Sequence, residues 1–552
     1  MHLSVALWAC GALLAVLLAW QQRKCWRLIW QLNGWRGVVQ QPILWILLCV
    51  NLHPNSILEK VTQYREYFQR PMAVLVGTRV LLYIDDPAGM ECILNAPECL
   101  DKTFLQDGFF VRRGLLHARG QRWKLRRKQL NPAFSHNIVA GFFDVFNSVG
   151  NQIIEQFASQ PHLHGKAVKF TDAEDLLSRA VLEVSCLTIM GTPTNFTQID
   201  DAHIAHSYKR LLEISAVRVV KPWLQIDLLH RLLAPELYEE SRKCCKLLAD
   251  FVGEIVRTKH RNWRLRDAVG SGDKAGEDSS AGWQRRIFIE QIFQLAANGE
   301  MTLEEIMHEA QSMVLVSFET VSNSITMALL CLATNKGDCR RRLLAEIRSL
   351  VPDSGQVGLE QLQQLRYLDA FVSESLRLLA TVPMNLRHVS RDFQLAGRAR
   401  EAIVPQNSIV VLDTFNMQRD ERWWGATAKQ FDPQRFLEQD QDQDQDRDQA
   451  QGQQAGGQDA AGPGSGQPRR QRDRRHSYSF LPFSSGLRSC IGRRYGLFIM
   501  KVFLVKLISQ FDFQSDFELE KLEFVENISL KFKNADDILL TIQPHSLSKD
   551  SI

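Results

Sequence analysis

No Cys-x-x-Cys pair occurs among the 11 cysteines of this 552-residue chain, and they are odd in number and scattered. That pattern argues against a zinc site and against a disulfide framework, and predicts reduced thiols on the cytosolic side. An excess of one charge is also missing: 66 Lys and Arg stand against 62 Asp and Glu, a net charge of +4. The chain therefore lacks the basic footprint of a nucleic-acid binder, and no nucleic-acid partner is expected. No linker divides it cleanly, so the roughly three or four domains that length alone suggests are not marked in the sequence.

The N-terminus lacks the marks of a removable leader. Leu3 to Trp20 is apolar or small without a full charge, and Arg23, Lys24 and Arg27 come directly after it. A secretory signal carries its charge before the apolar core and a cleavage site after it, and a mitochondrial leader is Arg- and Ser-rich. The pattern predicts a retained transmembrane helix over 1–22, near the lower length limit of about 17 residues, with the remainder facing the cytosol. Residues 23–54 read as a membrane-proximal linker in which Pro42 to Val50 either lies against the membrane or packs in the core. Residues 55–552 form the main unit.

Within that unit, Met72 to Ile84 alternates around a Gly-Thr turn and predicts a β-hairpin. Beyond Ile84 the chain reads mostly as helix. Met301 to Thr334 is the longest candidate, with Thr302 and Glu305 supplying a capping box. Arg266 to Ser280 is rich in Gly, Asp and Ser and reads as a loop. Glu438 to Arg475 has alanine as its only hydrophobic residue, acidic charge first and basic charge last. Such a segment cannot offset its ordering entropy by burial, so 438–475 is expected to be a disordered insertion, either passive or a charge-steered docking tail.

Cys490 stands in Phe483-Ser-Ser-Gly486-Leu-Arg488-Ser-Cys490-Ile-Gly492. These neighbours suit a cysteine thiolate on haem iron, which pushes electron density onto the metal and favours O–O cleavage. The glycines let the backbone bend around the sulfur, and Arg488 is placed to pair with a haem propionate. A free cysteine in a Gly/Ser loop is the plainer alternative. At these residues the chain resembles the cytochrome P450 superfamily, whose signature is FxxGxRxCxG.

Other segments resemble that family in the expected order. Glu374-Ser-Leu-Arg377 matches its ExxR pair, which on its own would be a surface ion pair worth about 0.2–0.5 kcal/mol. Phe431-Asp-Pro433-Gln434-Arg435-Phe436 fills the place of FxPERF, with Gln434 where glutamate is usual. The resemblance implies a buried Glu374, Arg377 and Arg435 network beneath the cysteine loop. Trp123-Lys-Leu-Arg-Arg127 is similar to the WxxxR helix, and Pro383 to Arg387 to the PxxxR segment. Trp123, Arg127, Arg387 and Arg488 are thus the implied propionate anchors, with a solvated basic face the alternative for RWKLRRK.

The long helix carries Val316-Ser317-Phe318-Glu319-Thr320-Val321, similar to [AG]GxxT. Oxygen activation needs a proton route, which a carboxylate beside a hydroxyl provides, so Glu319 and Thr320 are the catalytic candidates. A polar interruption of a core helix is the alternative. Ser317 replaces the glycine that opens a groove for O2, and Val321 replaces a hydroxyl. Val316 stands where many relatives carry the glutamate that esterifies a haem methyl, which implies heme b without an ester link.

Longer phrases, including GLLHARGQRWKLRRKQLNPAFSHNI and HSYSFLPFSSGLRSCIG, look like the family 4 branch and its insect members. The resemblance implies a mainly α fold with a small β region, anchored in the endoplasmic reticulum membrane. It implies a monooxygenase that takes O2, an apolar substrate such as a fatty acid or hydrocarbon-like lipid, and electrons from NADPH-cytochrome P450 reductase. Phe104, Phe109 and Phe110 fall in a loop that often roofs the pocket. Two other readings are a haem-thiolate protein that rearranges peroxides, and a membrane-tethered binding protein.

Overall fold

The computed structural model describes residues 23, 38–41, 57–67, 72–76, 79–110, 114–159, 167–194, 196, 202–269, 287–352, 355–395, 402–437, 476–526 and 528–545. The expected anchor at 1–22, the stretch Pro42 to Val50 and the insertion at 438–475 lie outside the described residues.

In chain order the fold opens with β1 (Val38–Gln41), α1 (Ile57–Tyr67), β2 (Met72–Val76), β3 (Arg79–Ile84), α2 (Pro87–Asn95), α3 (Gly120–Leu130) and α4 (Phe143–Ser159). It continues with β4 (Ala167–Lys169), α5 (Phe170–Ser185), α6 (Ala202–Val220), α7 (Asp227–Leu233), α8 (Pro235–Val269), α9 (Phe288–Ala297) and α10 (Leu303–Thr334). Next come α11 (Cys339–Leu350), α12 (Arg366–Leu378), β5 (Met384–His388), β6 (Phe393–Leu395), β7 (Ala402–Val404) and β8 (Ile409–Asp413). The chain closes with α13 (Arg493–Gln510), β9 (Phe511–Gln514), β10 (Phe524–Glu526), β11 (Leu530–Phe532) and β12 (Leu539–Pro544).

The fold is mainly helical with small sheets. The hairpin expected from Met72 to Ile84 is β2 paired antiparallel with β3, Val74 opposite Leu81. It belongs to a five-stranded sheet of order β1-β2-β3-β8-β5. β8 is buried at every position, as its unbroken Ile-Val-Val-Leu run requires of a strand covered on both faces. Its neighbour β5 thereby fixes Arg387.

α10 forms because its first turn is doubly capped. The Glu305 amide donates to Thr302 Oγ1 at 3.2 Å, and the Thr302 amide to Glu305 Oε2 at 3.0 Å. Glu304 and Glu305 also complement the positive end of the helix. At ~1.5 Å per residue it runs about 50 Å, through the centre of the molecule. It packs against α5, α8, α12 and α13. Among the described residues it is the one helix long and apolar enough to cross a membrane, and it is buried in the protein instead.

α8 continues to Val269, so residues 266–269 of the expected loop are helical, and 270–280 lie outside the described residues. The reason is local: the helix breakers of that stretch begin only at Gly270. At the other extreme of burial, Ile226 and the α7 residues Leu228, Leu232 and Leu233 are each more than half exposed. The eight described cysteines are free thiols.

Candidate functional site

The loop before α13 holds Cys490 in a fixed backbone. Gly486 adopts φ +66°, and a Cβ there would stand 2.2 Å from the Leu94 carbonyl oxygen, so both conformation and space demand glycine. A Cβ at Gly492 would meet nothing within 4 Å. Its contribution is its amide, which points at the cysteine sulfur. The Cys490 amide donates to the Phe483 carbonyl at 2.9 Å. Arg127 of α3 donates to the Ser489 carbonyl at 2.8 Å.

Cys490 has accessible surface, yet it sits deep enough for burial to raise its thiol pKa. The two observations agree if its surface belongs to an internal cleft. Burial outweighs the Gly492 amide and the Arg127 and Arg493 charges that favour the anion. Burial thus disfavours the free thiolate here, and metal coordination, which deprotonates a thiol outright, would reverse that.

Around the cysteine loop lies a group of cations with little to neutralise it. Arg488 donates to the carbonyls of Leu100 at 3.1 Å and Ala118 at 2.6 Å, and its guanidinium covers the Trp123 ring. Burial and the neighbouring Arg387 charge bring it down to about 10. Arg387 is buried and also falls to about 10. Burial, Arg387 and Arg488 push Lys102 down to about 7, although it too keeps some accessible surface. Burial lowers Arg127 as well. Asp101, 3.6 Å from Arg488, is the one carboxylate paired with this group among the described residues. A ligand bringing two carboxylates fits this donor set, and haem carries two propionates.

One stripe of α10 keeps accessible surface. Between Ser312 and Ala333 every residue is buried except Val316, Ser317 and Thr320, which share a helical stripe and are half-buried. Thr320 Oγ1 donates to the Val316 carbonyl at 2.8 Å. The Ser317 hydroxyl bonds Ser185 of α5 at 2.8 Å and the Val314 carbonyl at 3.0 Å. Val321 is buried, its Cγ2 3.4 Å from where a Cβ at Gly496 of α13 would lie. Glu319 is buried on the opposite side of the stripe's edge, against Ser529 and Lys531.

The expected structural triad is brought together beside α12. Glu374 and Arg377 are fully buried and doubly bonded, at 2.6 and 2.7 Å. Arg377 also donates to the Gln418, Ala428 and Gln430 carbonyls, and Arg435 lies 3.4 Å from Glu374. Gln434 is outside this group and accepts from Arg342 at 3.0 Å. Of the three phenylalanines, Phe104 lies under Arg79 and Phe110 under Arg218 of α6, while Phe109 packs on His117.

Sequence reasoning missed Lys102, Lys531 and Glu309. Glu309 is buried on α10 and accepts from the Leu115 amide at 2.8 Å, tying down the loop before α3. Burial pushes it up to about 7, despite that amide and Arg126. No local pattern marks any of the three, because their partners are remote in sequence.

A family model described as Cytochrome P450 matches residues 37–536. The chain belongs to the cytochrome P450 family. It is 87% identical to "Probable cytochrome P450 318a1" of Drosophila melanogaster, over 99% of both chains. It is 29% identical to "Probable cytochrome P450 313b1" of the same organism, over 93% of this chain and 94% of the relative. Family 4 relatives are also similar: "Cytochrome P450 4V2" of Homo sapiens is 24% identical, over 90% of this chain and 89% of that protein. As a cytochrome P450 the protein is a haem-thiolate monooxygenase that uses O2, an apolar substrate and a redox partner.

Proposed function

We propose that this cytochrome P450 works at the endoplasmic reticulum membrane, catalytic unit in the cytosol. There it hydroxylates a fatty acid or similar lipid with electrons from NADPH-cytochrome P450 reductase. The observation that carries the reading is the gathering of Arg127, Arg387, Arg488 and Lys102 around the loop of Cys490, with Asp101 the one paired carboxylate among the described residues.

Bound haem supplies the oxygen-activating chemistry. Cys490 would hold its iron, and Trp123, Arg127, Arg387 and Arg488, joined by Lys102, would hold its carboxylates. Val316 presents no carboxylate, so the haem is heme b without an ester link and is extractable under acid-organic conditions. Thr320 and Glu319 move protons to the reacting oxygen, the hydroxyl as the near group and the carboxylate as its supply. Val316 and the buried apolar residues around it exclude water, and a polar substrate group placed there would lose hydrogen bonds. Membrane attachment is supported by the apolar run Leu3 to Trp20 and by the exposed cluster Ile226, Leu228, Leu232 and Leu233.

The test is a ferrous carbon monoxide difference spectrum of wild type and Cys490→Ala, together with turnover of a lipid extract with NADPH and reductase. Wild type gives the thiolate signature and a hydroxylated lipid, and Cys490→Ala loses the signature. An unchanged spectrum in the variant overturns the ligand. Product formed from hydroperoxides alone, with none from NADPH and reductase, overturns the reaction.

A further inference from the structure

Glu319 has an unusual set of partners for a residue in the middle of a core helix. Its Oε1 accepts from Ser529 Oγ at 2.9 Å and from Lys531 Nζ at 2.9 Å, both from the far end of the chain. Lys531 also pairs with Glu174 of α5, so one ammonium is shared by two carboxylates. Glu319 Oε2 is buried without a hydrogen-bond partner among the described residues.

The hairpin that supplies Lys531 is itself fastened to α10. Asn323, one turn beyond Glu319, donates to the Leu530 carbonyl at 2.7 Å, and the Leu530 amide donates to the Thr381 carbonyl at 2.8 Å. β10 and β11 pair across the turn, with Val525 opposite Lys531. Exposure rises outward, from 5% for the Glu319 side chain to 13% for Glu174 and 22% for Lys531. The cluster thus joins Glu319 of α10, through Lys531, to the more exposed Glu174 of α5.

An isolated buried carboxylate takes up a proton and keeps it, because burial disfavours its charged form. Here burial is overcome: Lys531, with help from Lys209 and the Ser529 hydroxyl, lowers the Glu319 pKa overall. The lysine is raised in turn by its two carboxylates, so both partners shift in the directions of an ion pair.

We propose that Lys531 is a positioning residue for proton delivery: it pins Oε1 of Glu319 to the β10–β11 hairpin and leaves Oε2 as the oxygen that takes and passes on the proton. This rests on Glu319 being the proton-delivery carboxylate. Without Lys531 the carboxyl group is held by Ser529 alone and shifts toward its neutral form, so it reloads and holds its place less well. The seating of a C-terminal hairpin therefore sets how well α10 handles oxygen.

The experiment uses the full-length, haem-loaded protein with reductase and no added substrate. Under these conditions NADPH and O2 give either peroxide (NADPH + H+ + O2 → NADP+ + H2O2) or water (2 NADPH + 2 H+ + O2 → 2 NADP+ + 2 H2O). Only the water route needs the further protons that cleave the O–O bond. Lys531→Met raises the peroxide-to-water ratio about tenfold and increases the solvent deuterium isotope effect on water formation, while Lys531→Arg restores both. Independently of turnover, infrared spectra of Lys531→Met show a new protonated-carboxyl band that disappears in the Lys531→Met, Glu319→Gln double variant. If Lys531→Met fails to hold haem, Lys531→Gln is read by the same measurements. Glu319→Gln raising the ratio while neither Lys531 variant does so overturns this inference alone. A wild type that already sends all its O2 to peroxide, or a Glu319→Gln variant with an unchanged ratio, overturns the underlying role of Glu319. Absence of the new infrared band overturns the ion-pair argument.

Discussion

The guanidinium of Arg488 lies over the indole of Trp123, 4.2 Å from its ring centroid, so a residue of the cysteine loop and a residue of α3 form one surface. The stack is worth about 0.5–2 kcal/mol, and the two carbonyls that Arg488 serves would each cost about 1–3 kcal/mol if left buried and unpaired. Arg488→Ala should therefore release haem faster than wild type by about tenfold or more. Trp123→Phe, which keeps an aromatic face, should have the smaller effect. Transfer of haem to excess apomyoglobin measures both rates, and equal rates in wild type and Arg488→Ala would refute the anchoring role.

Arg377→Met should be far more damaging. It leaves Glu374 buried without its bidentate partner and strips three carbonyls of a donor. The expected loss is about 3–5 kcal/mol, enough to deplete folded protein. Little or no carbon monoxide signal from the variant, with wild-type levels of mRNA, is the expected outcome.

Glu309 makes stability depend on pH in the unusual direction. Its folded pKa is raised from 4.5 to about 7, so between these values the folded chain holds more protons than the unfolded one. Its contribution is complete below pH 4.5 and is lost as pH rises through about 7. The loss is about 2–4 kcal/mol, reduced by any relaxation around the charged form. Urea unfolding at about pH 5 and about pH 8 should show this slope in wild type and a flatter one in Glu309→Gln.

Much of the architecture was legible in the sequence because its causes are local. Thr302 and Glu305 announce the start of α10, and the alternation from Met72 to Ile84 announces the hairpin. Cys490, Glu374 and Arg377 were legible through motif spacing, since an i,i+3 ion pair alone says nothing of burial. Lys102 and Lys531 were not legible. Lys531 sits between Leu530 and Phe532, where strand alternation reads as an outward-facing lysine, and only the packing of β11 on α10 gives it Glu319. Ser317 shows a third kind of limit: its identity was plain, but its hydroxyl is taken up by Ser185.

That contact bears on oxygen handling. Ser317→Gly with Val321→Thr should send about twofold less O2 to peroxide if the serine crowds the groove and the missing hydroxyl slows proton transfer. With Ser317 held toward α5, the Val321→Thr change alone should supply most of the gain. Peroxide released per NADPH, compared among the single and double variants, apportions it.

The exposed apolar residues beside α7 should matter for membrane binding even without the N-terminal segment. In protein lacking residues 1–22, replacing Ile226, Leu228, Leu232 and Leu233 with serine should lower partitioning into lipid vesicles about tenfold or more. Unchanged partitioning would leave that surface without a membrane role.

The bond from Arg488 to the Leu100 carbonyl spans 388 residues of sequence. At a synthesis rate of about 5–20 residues per second, the two ends of that bond leave the ribosome about 20–80 s apart. Throughout that interval the first half of the cofactor cradle exists without its cysteine loop. Closure of the cradle around haem consequently waits for the last part of synthesis, when the loop of Cys490 has been made.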